Sequence, residues 1–338
     1  MANGDVIVSI SDASAEVSST DYSKILVVSD DKVLAYKEYD LSGGISASGI
    51  ATDYPITTDT YKKVLAIAAQ TPAPQIVGVI GCSAGVITTP ALTVILNELL
   101  LTVDNFFRVV TTYDTTTLRL DIAKWAEVNG KFAYIQYADT TFTDDYTTTA
   151  ARIILHKTAN EHADAAEAGY AATRTPGTFI FKFKEIKELT PQSLTAAEKT
   201  AVDAKNMGYY AKVSGLNMER SSKASNWSSS KPLYIDDLES RAYIMNEMQN
   251  KLLTLMVNTA KVPGDINGIQ MIDSVVSGVL QNAYDDNIVA SKDDGTPDFN
   301  TDVSKAKFIK ASRQWTAVNF NYAYLHGTEK ITVPGTVR

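Results

Sequence analysis

From Leu233 to Ala290 the apolar residues recur at three- and four-residue steps, the spacing of a helix face. Ile235, Leu238, Ala242, Met245, Leu252 and Met256 predict one helix, and Ile269, Ile272, Val276, Val279 and Ala283 predict a second. Lys261-Val262-Pro263-Gly264 separates them. Proline cannot continue the hydrogen-bond ladder, and glycine tolerates left-handed backbone, so the first helix stops there. Asp265 is placed to cap the second. Two amphipathic helices with a short link are expected to pack together, and neither carries a catalytic constellation.

Upstream the pattern alternates between strand and helix. Residues 5–10 (DVIVSI) read as a short strand with no local hairpin partner, followed by a serine-rich linker over 11–23. Residues 24–29 (KILVVS) read as a second strand, and 75–81 (QIVGVIG) as an apolar strand of the kind buried on both faces of a parallel sheet. Residues 41–53 read as a loop or frayed helix, and 60–70 as a helix with Tyr61, Val64, Leu65 and Ala68 on one side. Thr89-Pro90 marks a helix start, with a strand at 106–112 after it. A helix over 114–128 turns Leu118, Ile122, Trp125 and Ala126 inward and ends at Asn129-Gly130, before a strand at 131–137.

Residues 144–158 are ambiguous between helix and strand, and 162–172 are helical. Phe179–Lys187 (FIFKFKEIK) alternates and predicts a strand with one wet face. Thr195, with Glu198 three residues later, predicts a capping box on a helix to Met207, and 209–213 a strand. After the helix pair come an acidic turn segment at 293–302, a basic segment at 305–313, and strands at 315–325 and 330–337. The rhythm is that of an α/β (α+β) layered protein. It divides into an arm and linker (1–23), α/β layers of one or two subdomains (24–215) and a C-terminal part with the helix pair and a second strand-forming end (216–338).

The chain's 338 residues carry 31 basic and 39 acidic side chains, a net charge of −8. An acidic chain without a basic stripe argues against nucleic-acid binding, which needs phosphate neutralisation. The single cysteine, Cys82, allows no internal disulfide and suits a reducing cytoplasm. The sequence shows no signal-peptide pattern and no apolar run of the ~20 residues that span a bilayer. A soluble protein without membrane insertion is expected.

Candidate chemistry is thin. Gly78, Gly81 and Gly85 follow a strand but match no phosphate-loop spacing, and they read as glycines turning a strand into a loop. Cys82 lacks a histidine base in a recognisable signature and reads as a buried or incidental thiol. His156, Glu161 and His162 fit no zinc motif and read as a surface histidine pair. The acidic segment lacks calcium-loop ligand order. Lys305, Lys307, Lys310 and Arg313 read either as a solvated helix face or as a docking patch for an acidic partner. No catalytic, cofactor-binding or metal-ligating residue is assigned.

Four stretches resemble the tail sheath subunits of contractile phage tails and phage-like bacteriocins. They are QTPAPQIVGVIG, FKFKEIKELTPQSLTAAEKTAVDAKNMGYYAKV, the helix pair through Asn287-Ile288-Val289-Ala290, and the terminal LHGTEKITVPGTV. Their order carries the resemblance more than any one motif. The chain departs from the family at the connector, where Val262 and Gly264-Asp265 replace an isoleucine and a threonine-aspartate turn. It departs again at 291–300, where the family often has Pro-Gly.

The resemblance implies stacked hexameric rings of copies around a tail tube, with tube, baseplate and tail terminator proteins as partners and no cofactor. It further implies that Val6, Ile7, Val8 and Ile10 at one end, and Ile331, Val333 and Val337 at the other, add strands to neighbouring subunits. The basic segment Lys305–Arg313 would face an acidic tube. The implied place is the tail of a virion assembled in a bacterial host's cytoplasm. An α/β enzyme, or another virion structural protein, is the alternative. An enzyme would need a polar cluster at strand carboxyl ends.

Overall fold

The structure is a computed structural model that describes residues 20–85, 87–140, 148, 150–224, 233–316, 318–328 and 330. The arm residues Val6, Ile7, Val8 and Ile10, and Ile331, Val333 and Val337, lie outside that set. The chain forms two compact units, Thr20–Leu238 and Glu239–Gly327 in their described parts.

The larger unit begins with β1 (Asp21–Ser29), β2 (Val33–Asp40), a short α1 (Ile50–Asp53), α2 (Asp59–Ala68) and β3 (Ile76–Cys82). It continues with α3 (Thr89–Leu100), β4 (Phe106–Thr111), α4 (Thr116–Val128), β5 (Phe132–Tyr137) and β6 (Ala151–Leu155). Then come α5 (Ala163–Ala172), α6 (Ala196–Ala204), β7 (Gly208–Val213), β8 (Leu216–Glu219) and the short pair β9 (Lys223–Ala224) and β10 (Leu233–Tyr234). One eight-stranded sheet takes the order β2-β3-β1-β4-β5-β6-β7-β8. Its six central strands are parallel, and β2 and β8 are antiparallel at the edges.

Because the central strands are covered on both faces, their apolar runs do not alternate. Leu26, Val28, Val109, Ile135 and Ile153 pack with Leu96 of α3, Ile122 and Trp125 of α4 and Val202 of α6. Helices α2 and α5 lie together on the other face, where Gly169 lets α5 approach the Ile67 backbone; a Cβ there would meet it at 2.9 Å.

Several expectations need correction. Strand β2 falls in a stretch where no element was expected, and Tyr36 of β2 lies over Gly78, where a Cβ would stand 2.6 Å from the ring. Residues 21–23 belong to β1 rather than to a linker. On α2 the buried face is Thr60, Lys63, Val64 and Ile67, while Leu65 is exposed.

Phe179–Lys187 is not a strand. Phe183 takes φ 70°, which ends any extended run, while Phe179, Phe181 and Ile186 are still buried. Burial follows the alternation only at Phe179 and Phe181, since Phe183 is half exposed and Ile186 is buried out of phase with them. Thr88, not Thr89, stands at the N-cap of α3. The Thr195–Glu198 capping box on α6 is present in both directions.

The smaller unit holds most of α7 (Ile235–Asn258), α8 (Ile266–Asp285), β11 (Phe299–Asp302), β12 (Lys307–Ile309), β13 (Gln314–Thr316) and β14 (Asn319–Tyr322). Its core joins Ile244 and Met248 of α7 to Val276, Val279, Leu280 and Ala283 of α8, with Phe299, Phe320 and Tyr322 against them. The α8 face is as the spacing predicts, and Asp265 caps the helix by accepting from the Asn267 and Gly268 amides. Of the predicted α7 face Ile235 is fully buried, but further along the helix the face is out of phase. Ile244 and Met248 are buried, whereas Met256 is 59% exposed. Strands β11 and β14 form one antiparallel pair, β12 and β13 another.

Candidate functional site

Lys307, Lys310 and Arg313 sit on the β12–β13 hairpin and Lys305 in the turn before it; none of the four is on a helix. Lys307 pairs with Thr316, Phe308 with Trp315 and Ile309 with Gln314, and residues 310–313 make the turn, with Arg313 at φ 54°. Strand alternation sends Phe308 and Trp315 to one face, with ring centroids 5.4 Å apart. That face rests on the α7–α8 connector. The Trp315 indole nitrogen donates to the Pro263 carbonyl at 3.3 Å, and a Cβ on Gly264 would stand 2.4 Å from the Phe308 ring. Lys305, Lys307, Lys310 and Arg313 are all exposed and form no ion pair among the described residues. Ile309, Ile266, Met256 and Val257, from the hairpin and the helix ends flanking the connector, are also exposed. A basic surface carrying apolar patches can bind an acidic macromolecular surface; nothing in it performs bond chemistry.

In the larger unit a cleft of about 250 Å³ opens at the carboxyl ends of β4, β5 and β6. Parallel α/β sheets bind ligands at such places, and polar residues do gather there, among them Thr112, Asp114, Gln136, His156, Glu161 and His162. Gln136, His156 and Glu161 are bonded into a local network, Thr112 bonds Asp30, and the buried His156 Nδ1 and His162 Nε2 have no hydrogen-bond partner among the described residues. His156 Nε2 lies 2.7 Å from Glu161 Oε2. The same carboxylate accepts from the Thr190 amide and hydroxyl, each at 2.7 Å. Gln136 donates to the Glu161 carbonyl and accepts from the Ala163 amide at 2.6 Å. Lys63 is paired with Asp164 at 2.5 Å, both buried.

Burial pushes the His156 imidazole below its ordinary range. Burial and nearby Lys63 bring His162 down to about 4. Against its own burial, the Thr190 and His156 contacts hold Glu161 down as a carboxylate. These groups lock loop to loop. The expected surface histidine pair is wrong for His156, which is fully buried.

The other candidates are structural. Cys82 is buried, and desolvation pushes its thiol up to about 12. Gly81 lets β2 close on β3, since a Cβ would stand 2.3 Å from the Lys32 carbonyl oxygen. Asp293 and Asp294 are exposed turn residues.

Sequence reasoning passed over a buried cluster. Arg152 of β6 donates to Glu167 of α5 at 2.5 Å and lies 3.2 Å from Glu219 of β8. It also donates to the Ser221 and Lys223 carbonyls at 2.8 and 2.7 Å and stacks over Phe181. All three ionisable side chains are fully buried. One cation balances one carboxylate. Burial and the neighbouring Glu167 therefore push Glu219 up to about 8. The signal was there: a lone arginine inside an apolar strand, and Glu167 inside an alanine helix, each demand a partner.

No family model and no curated protein matches the sequence. In three dimensions the chain is similar along its whole length to proteins of contractile particles. A chain in the six-fold symmetrised cryo-EM structure of the anti-feeding prophage baseplate superposes with a TM-score of 0.74 at 11% identity, covering 100% of this chain and 99% of that one. The contracted helical sheath of the anti-feeding prophage gives 0.72 at 9% identity, covering 99% of each. The contracted PVC sheath complex of an extracellular contractile injection system gives 0.69 at 12% identity, covering 99% and 97%. The chain has the fold of contractile sheath subunits.

Proposed function

We propose that the chain is the structural subunit of a contractile tail sheath. It polymerises as stacked rings around a tail tube and shortens to drive the tube through a bacterial envelope. The observation that carries this is the structural match, which covers 99% of this chain and 99% of a contracted helical sheath chain. A fold shared with an unrelated enzyme would be expected to match the α/β layers alone.

The work is mechanical. The extended sheath is metastable, contraction buries more surface between copies, and no nucleotide or cofactor is called on. Val6, Ile7, Val8 and Ile10, with Ile331, Val333 and Val337, extend neighbours' sheets and keep copies linked while they slide and rotate. Lys305, Lys307, Lys310 and Arg313 face an acidic tube protein; their exposure and the absence of an ion pair to them among the described residues support this. Baseplate and tail terminator proteins complete the partners, and the particle is built in the host's cytoplasm.

Negative-stain microscopy of the purified full chain tests the proposal. Striated hollow cylinders are expected, and deletion of residues 1–20 is expected to abolish them while leaving the monomer folded. A full-length chain that stays monomeric at every concentration, or a deletion that polymerises unchanged, overturns it.

A further inference from the structure

The smaller unit carries opposite charge at the two ends of one helix. Helix α8 has 20 residues, a length of roughly 30 Å at 1.5 Å per residue. Its N-terminal end holds the connector on which the basic hairpin rests, so Lys305, Lys307, Lys310 and Arg313 gather there with exposed Lys261. Two carboxylates at that end are engaged locally: Asp265 by the Asn267 and Gly268 amides, Asp302 by the Ser304 amide. At the other end Asp285 and Asp286 close the helix and are exposed; they too have local partners, both neutral groups, Asp285 the Gln281 side-chain amide at 2.9 Å and Asp286 the Tyr243 hydroxyl. The next turn adds exposed Asp293 and Asp294, the latter accepting from the Thr296 amide and hydroxyl, beside the cation Lys292. This turn is fastened to α8, since the Tyr284 hydroxyl donates to the Gly295 carbonyl at 3.1 Å. An exposed apolar side chain accompanies the charge at each end, Ile309 at the basic one and Leu325 at the acidic one.

This distribution opposes the helix dipole, which favours anions at the N-terminus and cations at the C-terminus. The charges therefore do not serve the stability of α8. Nor can they neutralise each other within one copy, because roughly 30 Å far exceeds the screening length of about 8 Å at physiological salt. The nearest complement to each end is the opposite end of another copy. A contact of that kind is heterologous, and heterologous contacts propagate into rings or helical filaments.

We propose that the acidic end of α8, formed by Asp285, Asp286, Asp293 and Asp294, is a docking surface for the basic hairpin of a second copy of this chain. The inference rests on the reading of the chain as a polymerising sheath subunit. The hairpin serves one partner at a time, so the copy-to-copy contact forms where the tube has been released.

The test uses the full chain as wild type, D293K/D294K, K307E/K310E and the four-fold combination, each checked for folding by circular dichroism. Assembly without tube is followed by sedimentation. Like charges brought together at an interface cost heavily, so each double variant should need at least a roughly tenfold higher concentration to form cylinders. The four-fold variant restores opposite charge at the junction and should assemble near the wild-type concentration. It should still fail to co-assemble with tube, because its hairpin remains acidic. Unchanged assembly of D293K/D294K, or a four-fold variant no better than either double variant, overturns the docking surface and leaves the sheath reading intact. A wild-type chain that forms no cylinders removes the sheath reading and this inference with it.

Discussion

The two units handle charge in opposite ways. In the larger unit Arg152, Glu167, Glu219, Lys63 and Asp164 are buried and engaged with one another. In the smaller one Lys305, Lys307, Lys310 and Arg313 stand exposed, with no ion pair among the described residues. Buried ions must be matched because desolvation is expensive, and removing one partner leaves the other stranded. Exposed ions are hydrated, contribute little to folding, and remain available to another surface. The larger unit thus spends its charges on holding strands and helices together, and the smaller one offers its charges outward. A subunit that must keep its shape while its neighbours move would need both.

Four changes would break or sharpen this contrast. Arg152→Leu should cost about 3–5 kcal/mol, the usual penalty for stranding buried charge; chemical denaturation reads it. A loss below about 1 kcal/mol would mean that water reaches the cluster. Gly268→Ala should cost about 1–3 kcal/mol by overpacking, because its Cβ would stand 1.8 Å from the Pro263 carbonyl oxygen. Trp315 fluorescence should shift with it, since the indole is bonded to that same carbonyl.

The third change concerns pH. Glu219 holds its proton in the folded state up to about 8, against an ordinary value of 4.5. A raised folded value means that its contribution is full below 4.5 and is lost as pH rises through about 8. Stability should therefore fall across that window, and Glu219→Gln should flatten the slope in a denaturant series. A slope that survives the substitution would place the titration elsewhere. The smallest effect on folding belongs to K307E/K310E, expected within about 0.5 kcal/mol of wild type because both side chains are exposed. Its co-assembly with tube should nevertheless be lost, as pelleting would report.

Much of the architecture was legible because it is periodic. The run at 75–81 is apolar without alternation, as a sheet covered on both faces requires, and 24–29 and 131–137 were legible as strands. The α8 face and its Asp265 cap were equally plain. Strand β2 was not, because VLAYKEYD mixes polar and apolar residues at a sheet edge, where one side stays wet. Phe179–Lys187 misled for the converse reason. Its alternation is real, and its backbone turns at Phe183. The basic segment was legible as a surface but not as a hairpin, since three-residue strands give too short a pattern to separate from a helix.

The order of strands and helices, the connector after α7 and the places of exposed charge follow from the local chain, because period, capping and breaking residues act within a few positions. Which charges pair was decided only in three dimensions. Arg152 meets Glu167 and Glu219 because β6, α5 and β8 converge, and Phe308 meets Gly264 across more than forty residues of chain. Such contacts depend on distances that sequence separation does not encode, and on burial that decides whether a charge must find a partner or can remain open to another molecule.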